Sequence, residues 1–257
     1  MAIGGGRFKR LGIPATTTTA IDKQTIRLSG KKKPHLLFIP TASSDDPNTK
    51  YVAAMQQHFV QNLSCTMDTL YLIKKHPTTR EIKRKINNAD IIYVGGGNTL
   101  KMMRKWRLLG VDKLLRDAYK KGTVMTGASA GAICWFREGH SDSMSFYKNP
   151  HWNYIAVKGL NLIPATLCPH YDNHTRGKPR AYHFKKMMHN KKIGIGLDDN
   201  CAIEIVNGTY RIITSKKKAK AYILYRRDGK IVQHEIPKRT EYTSLDSLLR
   251  SKPSRRD

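Results

Sequence analysis

The sequence predicts an α/β fold in which a mainly parallel sheet ends in antiparallel C-terminal strands. Three observations lead to this prediction. Short apolar runs alternate with amphipathic stretches along most of the chain, as in α/β proteins. Glycine-rich turns follow two of the apolar runs directly. Near the C-terminus, Asn207–Gly208 and Asp228–Gly229 separate apolar runs, and such dipeptides favour the tight turns of antiparallel hairpins.

In the first half of the chain, strands are predicted where short apolar runs end in turn residues. They are His35–Ile39, Asp68–Ile73, Ile91–Val94 and Thr123–Thr126. The stretches between them place apolar residues near helical spacing and are predicted helices. They are Tyr51–Leu63, Glu81–Asn88, Leu100–Tyr119 with a break near Gly110, and a helical run at Ala132–Phe136.

After this run the pattern is irregular through Asn161, and regular elements return in the last third of the chain. We predict a helix at Ala181–Met188 and strands at Ile193–Leu197, Ala202–Val206, Thr209–Thr214, Ala221–Tyr225 and Ile231–Ile236. Gly4–Gly6 leaves room for only a short first strand. Because no linker, repeat or low-complexity block interrupts the chain, we predict one domain over 1–257, with a frayed polar tail at 251–257.

The composition carries an unusually large positive charge. The chain has 47 Lys and Arg residues against 19 Asp and Glu, a formal net charge of +28. Such a charge is typical of proteins that bind nucleic acid or anionic membranes. The basic residues are scattered in short clusters, and no helix-turn-helix, zinc-finger or aromatic RNA-binding motif accompanies them. A nucleic-acid partner stays open without support from a motif, and a solvated basic surface is the plainer interpretation.

The sequence carries no signal for export or membrane insertion. The N-terminal stretch MAIGGGRFKR lacks the apolar run of a signal peptide. No segment approaches the ~18–20 apolar residues of a membrane-spanning helix. The four cysteines are far apart and form no C-x-x-C pair, which predicts reduced thiols. We therefore expect a cytoplasmic protein without a membrane partner.

The most informative motif is a G-x-S-x-G turn formed by Gly127, Ser129 and Gly131. It follows a predicted strand and precedes a predicted helix, the context in which a serine nucleophile is exposed on a sharp turn. The amide of Ala130 can then donate to a developing oxyanion. A glycine- and alanine-rich packing turn with an incidental serine is the alternative.

A second glycine loop, Gly95–Gly97, also runs from a strand into a helix. Such a loop presents backbone amides and allows close approach, so it can supply a second oxyanion donor. A phosphate-binding loop is the rival interpretation, but the Lys-Ser/Thr ending of a P-loop and the G-x-G-x-x-G spacing are both missing. A plain strand-to-helix turn is the third.

Serine needs an adjacent base to attack a carbonyl at neutral pH. Of the ten histidines, His170 has the most suggestive position, because it follows an apolar run and Pro169 restricts the backbone before it. The competing candidates are His140, His151, His174 and His183.

The acid that orients this base has four candidates near the same segments. They are Asp142, Asp172, Asp198 and Asp199. Asp199 follows the predicted strand Ile193–Leu197 at its carboxyl end, where the sites of α/β proteins gather. A turn residue is the alternative for Asp199, since Asp198-Asp199-Asn200 is also typical of a turn.

Four segments occur in a characteristic order along the chain. They are Gly95–Thr99 (GGGNT), Gly127–Phe136 (GASAGAICWF), Cys168–Asn173 (CPHYDN) and Gly194–Ile203 (GIGLDDNCAI). Together they resemble the dipeptidase E and cyanophycinase family of serine peptidases, and the resemblance runs from about Leu36 to the last strands. Each segment alone is weakly specific, whereas the ordered set is quite specific.

The resemblance implies a flavodoxin-like three-layer α/β sandwich, related to class I glutamine amidotransferases, with serine replacing their elbow cysteine. It implies a triad in the order nucleophile, histidine, acid, which assigns Ser129, His170 and Asp199. The family usually has glutamate at the acid position. Asp199 is one methylene shorter, so it must lie closer to the imidazole. Asp142 is the reserve acid.

The resemblance further implies peptide hydrolysis through an acyl-enzyme, without a metal or an organic cofactor. The amides of Gly96, Gly97 and Ala130 are the expected oxyanion hole. Characterised relatives favour aspartate on the acyl side of the bond, so dipeptides with an N-terminal aspartate are the expected substrates of this exopeptidase. The expected substrate-binding residues are Asn98, Arg176 and Arg180.

Other functions stay open at this point. A basic protein that binds nucleic acid would use the charge of +28. A non-catalytic relative that senses or stores a ligand is compatible with aspartate at the acid position. Hydrolysis of a larger acidic polymer is a variant of the peptidase hypothesis, and the chain is compatible with a monomer or a homodimer.

Overall fold

The chain forms two β-sheets with helices packed against them, as seen in a computed structural model that describes residues 1–6, 17–43, 45, 50–148, 150–190 and 193–250. The strands are β1 (Ala2–Ile3), β2 (His35–Ile39), β3 (Thr66–Thr69), β4 (Ile91–Val94), β5 (Val124–Ala128), β6 (Phe136–Ser141), β7 (Ile155–Lys158), β8 (Ile163–Cys168), β9 (His174–Thr175), β10 (Lys178–Pro179), β11 (Ile193–Leu197), β12 (Cys201–Val206), β13 (Thr209–Thr214), β14 (Ala221–Arg227), β15 (Lys230–Glu235) and β16 (Thr243–Ser244). The predicted tail at 251–257 lies outside the described residues, and the single domain stays a prediction.

The helices connect these strands. They are α1 (Thr19–Leu28), α2 (Lys50–Met55), α3 (Thr79–Asn87), α4 (Thr99–Leu109), α5 (Val111–Lys120), α6 (Ala130–Ile133), α7 (Arg180–Met187) and α8 (Leu245–Leu249). A π-helix, Gln56–Asn62, continues α2, and one turn of 3-10 helix covers Ser143–Phe146. The predicted break between α4 and α5 is confirmed, because Gly110 has a φ of 69° and caps α4 in the left-handed conformation.

The larger sheet has the strand order β16-β13-β12-β1-β5-β4-β2-β3. The five neighbouring strands β1, β5, β4, β2 and β3 pair in parallel. The pairs β1–β12, β12–β13 and β13–β16 are antiparallel. The predicted mainly parallel sheet with antiparallel C-terminal strands is therefore confirmed. The carboxyl ends of β4 and β5 lie side by side, which brings the two glycine loops of the sequence to one edge.

The continuous apolar runs of β2 and β4 follow from burial on both faces of this sheet. Leu37 and Ile92 belong to one core cluster, while their neighbours Leu36 and Ile91 belong to another. Because successive side chains point to opposite faces, a strand covered on both sides has no position for a polar residue. The helices α1 and α2 contribute to one cluster, and α3, α4 and α5 contribute to the other. The result is a three-layer α/β arrangement.

A second sheet, in the order β15-β14-β11-β8-β6-β7, was not predicted from the sequence. The helical prediction for Ala132–Phe136 is wrong beyond Ile133, because α6 ends there and β6 begins at Phe136. Strand β6 is largely buried although its sequence (FREGHS) is polar, which is why it was not predicted. Its Glu138 is buried and accepts a hydrogen bond from Thr166 Oγ1 at 3.1 Å, which compensates for the loss of water.

Two further findings concern the sequence expectations. The four cysteines are free thiols and all are buried. Within the described part of the chain, no helix is long and apolar enough to cross a membrane.

Candidate active site

Ser129 lies on a sharp turn between β5 and α6. Its backbone has φ 57° and ψ −114°, a conformation that L-residues rarely adopt, and its side chain is half-buried. A Cβ at Gly127 would lie 2.5 Å from the carbonyl oxygen of Gly131, and one at Gly131 would lie 2.0 Å from that of Val94. Only glycine fits at these two positions, so the G-x-S-x-G spacing is imposed by the packing of the turn.

His170 and Asp199 form a close pair. The distance from His170 Nδ1 to Asp199 Oδ1 is 2.6 Å, and the two side chains are 23% and 24% exposed. His170 follows β8 and Asp199 follows β11, two neighbouring parallel strands of the second sheet. His170 also has a positive φ of 51°. The backbone amide of Asp199 donates to Asp172 Oδ1 at 2.9 Å.

The segment after β1 joins the three turns that carry Ser129, His170 and Asp199. The amide of Ser129 donates to the carbonyl oxygen of Ile3 at 3.1 Å, that of His170 to Gly4 at 3.0 Å, and that of Asn200 to Gly5 at 2.8 Å. Three successive carbonyl groups therefore fix the positions of the three turns relative to one another. We name residues 3–5 the N-terminal hub.

The hub also packs directly against the histidine–aspartate pair. A Cβ at Gly5 would lie 2.1 Å from Asp199 Oδ1 and 2.3 Å from His170 Cε1. Sequence reasoning treated Gly4–Gly6 only as the end of a short strand. The signal that could have revealed the hub is a run of three glycines directly after an apolar residue, which permits close backbone approach.

The other three aspartates have different partners. Asp142, the reserve acid, lies beside Arg180, with 3.6 Å between Asp142 Oδ2 and Arg180 Nη1. Asp172 is exposed and accepts from the Asp199 amide. Asp198 is buried and accepts from the amide of Lys220 at 2.9 Å, and burial raises the pKa of its carboxyl to about 6. Of the four candidates, Asp199 is the one that contacts His170.

The competing histidines lie in other surroundings. His140 is fully buried, 3.5 Å from Cys168 Sγ, and stacks on Tyr154; burial lowers its pKa well below the usual value. His183 lies on α7 against Tyr154. His151 and His174 are exposed.

The loop Gly95–Gly97 packs against the serine turn. A Cβ at Gly96 would lie 3.4 Å from Ser129 Cβ, so the loop and Ser129 are in close contact. Gly97 has a φ of 135°, and a Cβ there would lie 2.3 Å from the carbonyl oxygen of Ala42. Ala130 is the first residue of α6, where a backbone amide has no acceptor within the helix.

Tyr51 takes part in this arrangement and was not foreseen from the sequence. The Gly96 amide donates to the Tyr51 hydroxyl at 3.3 Å, and the Tyr51 ring packs edge-on against Phe38. Burial raises the pKa of Tyr51 to about 12, so its hydroxyl is neutral at physiological pH. A tyrosine on a helix has no sequence signature that would link it to a loop more than forty residues later.

The three expected substrate-binding residues differ in their exposure and in the partners of their side chains. Asn98 caps α4: its Oδ1 accepts from the Lys101 amide at 3.0 Å, and its Nδ2 donates to the carbonyl oxygen of Ser143 at 3.4 Å. The Arg176 guanidinium lies 5.1 Å from the centre of the Trp152 ring and is exposed.

Arg180, the third of these residues, is buried. Its guanidinium lies 4.9 Å from the centre of the Tyr154 ring, and its Nη2 donates to the carbonyl oxygen of His140 at 3.1 Å. Its Nε is buried and has no hydrogen-bond partner among the described residues.

The chain is similar to known peptidases over most of its length. The chain is 33% identical over 240 residues to the uncharacterized peptidase YgaJ of Bacillus subtilis, covering 92% of this chain and 96% of that protein. It is 28% identical over 198 residues to peptidase E of Nostoc sp., covering 73% of this chain and 75% of that protein.

Solved structures share the fold. A peptidase from an acI-B1 Actinobacterium matches with a TM-score of 0.70 at 19% identity, over 94% of both chains. A putative peptidase E from Listeria monocytogenes matches with a TM-score of 0.54 at 20% identity, over 86% of this chain and 94% of that one. The model of peptidase family S51 matches residues 1–213, a range that includes the serine turn, the histidine–aspartate pair and the N-terminal hub. The chain therefore belongs to peptidase family S51.

Proposed function

We propose that this serine peptidase hydrolyses short peptides with an N-terminal aspartate, using Ser129, His170 and Asp199. The observation that carries the proposal is the 2.6 Å contact between His170 Nδ1 and Asp199 Oδ1, which the N-terminal hub ties to the serine turn. A carboxylate in that position accepts a hydrogen bond from the Nδ1–H group of the imidazole and leaves Nε2 unprotonated as the base.

In the proposed reaction, His170 Nε2 takes the proton of Ser129 while Ser129 Oγ attacks the scissile carbonyl carbon. The imidazolium then gives this proton to the leaving amine, and the acyl group stays on Ser129. A water molecule, deprotonated by His170, attacks the ester, and the imidazolium returns the proton to Ser129 Oγ as the ester bond breaks, which releases the N-terminal aspartate as the free acid. Asp199 stabilises the imidazolium in both steps and is not itself protonated.

The amides of Gly96, Gly97 and Ala130 are proposed to stabilise the negative charge that develops on the carbonyl oxygen. In the unliganded protein the Gly96 amide donates to Tyr51. We expect the substrate oxygen to take over this amide, because a charged acceptor forms a stronger hydrogen bond than a neutral hydroxyl.

For the aspartate side chain of the substrate, Arg180 is the proposed partner. Its guanidinium is buried, and its Nε has no partner among the described residues. Asp142 lies 3.6 Å away from Nη1, a distance longer than that of a tight ion pair. Both polar groups of the Asn98 side chain already have partners, because its Oδ1 caps α4 and its Nδ2 donates to the carbonyl oxygen of Ser143. Arg180 is therefore the stronger proposal, and Arg176, which is exposed, is the second.

The test is a set of four dipeptides, Asp-Leu, Glu-Leu, Ala-Leu and Leu-Asp, offered to purified wild type and Ser129→Ala. Ser247→Ala, in the exposed helix α8, is the matched serine-to-alanine control. We expect wild type and the control to cleave Asp-Leu, and Ser129→Ala to lose at least 1,000-fold in kcat on the order of other triad deletions.

Cleavage of a different dipeptide with the same dependence on Ser129 would keep the nucleophile and reject the aspartate preference. Equal cleavage by all three proteins would reject Ser129. If folded wild type cleaved none of the dipeptides, the short-peptide substrate would be rejected, and acidic polymers would be the next substrates to test.

A further inference from the structure

A basic face lies beside the candidate active site, and apart from Arg176 and Arg180 its residues have no part in the proposed reaction. The sequence from Ser143 to Leu197 contains nine Lys and Arg residues and a single acidic residue, Asp172. Within this range, the hairpin β9–β10 and helix α7 follow His170 directly. With nine basic residues against one acidic residue, this segment carries a net charge of +8 and lies next to His170.

Side-chain contacts join three segments of this region into one surface. Arg176, on the hairpin, donates to the carbonyl oxygen of Pro150 and covers the ring of Trp152, which ties the hairpin to the loop after Ser143–Phe146. The Tyr154 hydroxyl lies 2.6 Å from Thr175 Oγ1, a second link between the same two segments.

Helix α7 is joined to the same surface by aromatic contacts. The ring of His183 lies 5.2 Å from that of Tyr154 and 5.4 Å from that of Tyr182, measured between centroids. The loop, the hairpin and α7 are thus neighbours in space and form one surface.

The three segments carry exposed aromatic rings and exposed lysines. Phe146, Tyr147 and Tyr182 are 56%, 47% and 38% exposed, large values for apolar rings. Lys178 and Lys186 lie 4.7 Å and 4.8 Å from the centre of the Tyr182 ring, and both are exposed. Among the described residues, no carboxylate forms an ion pair with either lysine.

We propose that this surface binds single-stranded nucleic acid. We call it the aromatic–basic surface and define it by Phe146, Tyr147, Arg176, Lys178, Tyr182 and Lys186. In the proposed complex, the basic side chains hold phosphates and the exposed rings stack on bases. This combination of a positive groove with aromatic platforms is the general chemistry of single-strand binding.

The exposed rings favour nucleic acid over other polyanions. Lysine and arginine attract any polyanion, including an acidic polypeptide or a lipid headgroup layer. Stacking, however, requires planar groups in the partner, and each base supplies one. Duplex DNA hides its bases inside the helix, so a single strand is the form that can use Phe146 and Tyr147.

The first experiment measures the affinity of labelled oligo-dT and oligo-U by fluorescence anisotropy at several salt concentrations. The double variant Lys178→Gln/Lys186→Gln is compared with Lys216→Gln/Lys218→Gln, which removes the same charge from the exposed turn between β13 and β14. We expect binding by wild type, and a slope of log K against log salt that falls by about 1.4 in the surface variant, on the basis of ~0.7 per phosphate contact. The control variant keeps the wild-type slope.

The second experiment separates stacking from charge. Phe146→Leu/Tyr147→Leu retains apolar side chains and the full charge but removes two exposed rings. We expect its affinity to fall at least about fivefold with an unchanged salt slope, because loss of stacking on one base costs ~1–3 kcal/mol. Ser129→Ala, folded and inactive, binds like wild type under this proposal.

Three results would overturn the proposal. Equal weakening by the turn variant would show that charge acts diffusely over the molecule. Wild-type affinity of the Phe146→Leu/Tyr147→Leu variant would exclude stacking. Competition by polyglutamate that matches oligo-dT at equal charge concentration would identify a general polyanion surface. None of these results depends on peptidase activity, so the proposed reaction is tested separately.

Discussion

At Ser129 and His170 the backbone adopts a conformation that ordinary side chains avoid. The φ angles are 57° and 51°, and each such residue costs about 1–3 kcal/mol unless its surroundings enforce it. Here the enforcement is visible as the hydrogen bonds from both amides to the N-terminal hub. Strain of this kind is maintained by the packing and hydrogen bonds around these residues.

Gly5→Ala tests the role of the hub in positioning. The added Cβ would lie 2.3 Å from His170 Cε1 and 2.1 Å from Asp199 Oδ1, so one of these side chains has to move. We expect kcat to fall at least about tenfold with a smaller change in KM, because a misplacement of about 1 Å in a catalytic group costs up to ~100-fold.

The control for this variant is Gly229→Ala. Gly229 has a positive φ, and an added Cβ there would have no atom within 4 Å. This variant therefore measures the effect of backbone strain alone, without a steric clash near the site. It should lose some stability and keep wild-type kcat. An unchanged kcat in Gly5→Ala would show that the hub does not position the pair.

Asp199→Asn tests the acid. Asparagine keeps the shape of the side chain, but its amide favours the wrong tautomer of the imidazole, a change that costs about 10,000-fold in kcat in other triads. Asp142→Asn is the matched control, since Asp142 lies beside Arg180 and not beside His170. We expect steady-state kcat to fall by at least about 1,000-fold in Asp199→Asn only, and the opposite order would make Asp142 the acid.

Asp198 gives a prediction for pH. Burial raises the pKa of its carboxyl to about 6, above the value near 3.8 that it has when unfolded. The folded protein therefore binds this proton more tightly, and the associated stability is fully present below about pH 3.8 and is lost as pH rises through about 6.

We expect Asp198→Asn to stabilise the protein relative to wild type at pH 8 and to lose most of this advantage at about pH 3.5. Asparagine keeps an acceptor for the Lys220 amide, so the change removes mainly the charge. Urea denaturation at the two pH values measures it. If the free energies of unfolding of variant and wild type differed by the same amount at both pH values, Asp198 would not titrate in this range.

The break between α4 and α5 shows how one glycine sets the path of two helices. Gly110 is left-handed, with φ 69°, and an added Cβ would have no atom within 4 Å. We expect Gly110→Ala to lower the free energy of unfolding by about 1–2 kcal/mol through backbone strain alone. Gly110→Asn should cost less, because asparagine tolerates this conformation. If urea denaturation gave the same loss of unfolding free energy for both variants, this explanation would be contradicted.

The elements that could be predicted from the sequence are those whose burial is uniform. Strands β2, β4 and β11 are apolar throughout, because both of their faces are covered. Strand β6 could not be predicted, because Glu138 and His140 are buried among partners that lie far along the chain. In a sequence, a polar residue predicts a solvent-exposed position. Only the structure shows that its hydrogen-bond partner comes from a distant part of the chain and that the position is buried.

The candidate site shows the same division. Ser129 was predictable because the motif is local, and His170 and Asp199 because ordered segments resemble a family. The N-terminal hub, Tyr51 and the aromatic–basic surface were not predictable, since each consists of contacts between residues distant in sequence. Their positions follow from strand order and loop packing, which composition and spacing do not specify.

For the molecule as a whole, the charge of +28 has a thermodynamic consequence. Like charges repel one another most strongly in the compact state, and salt screens this repulsion, with a Debye length of about 10 Å at 0.1 M. We expect the Tm to rise by a few degrees between 20 mM and 300 mM NaCl. A Tm that fell over this range would show that attractive ion pairs outweigh the repulsion.

The position of β1 also has a consequence for synthesis on the ribosome. Residues 3–5 leave the ribosome early, but the amides that they bind, those of Ser129, His170 and Asn200, belong to residues made more than 120 positions later. The strand inserts between β5 and β12, and β12 ends at Val206. A nascent chain therefore carries Ser129 before the His170–Asp199 pair has been made. Under the proposed mechanism, activity can arise only when most of the polypeptide has emerged.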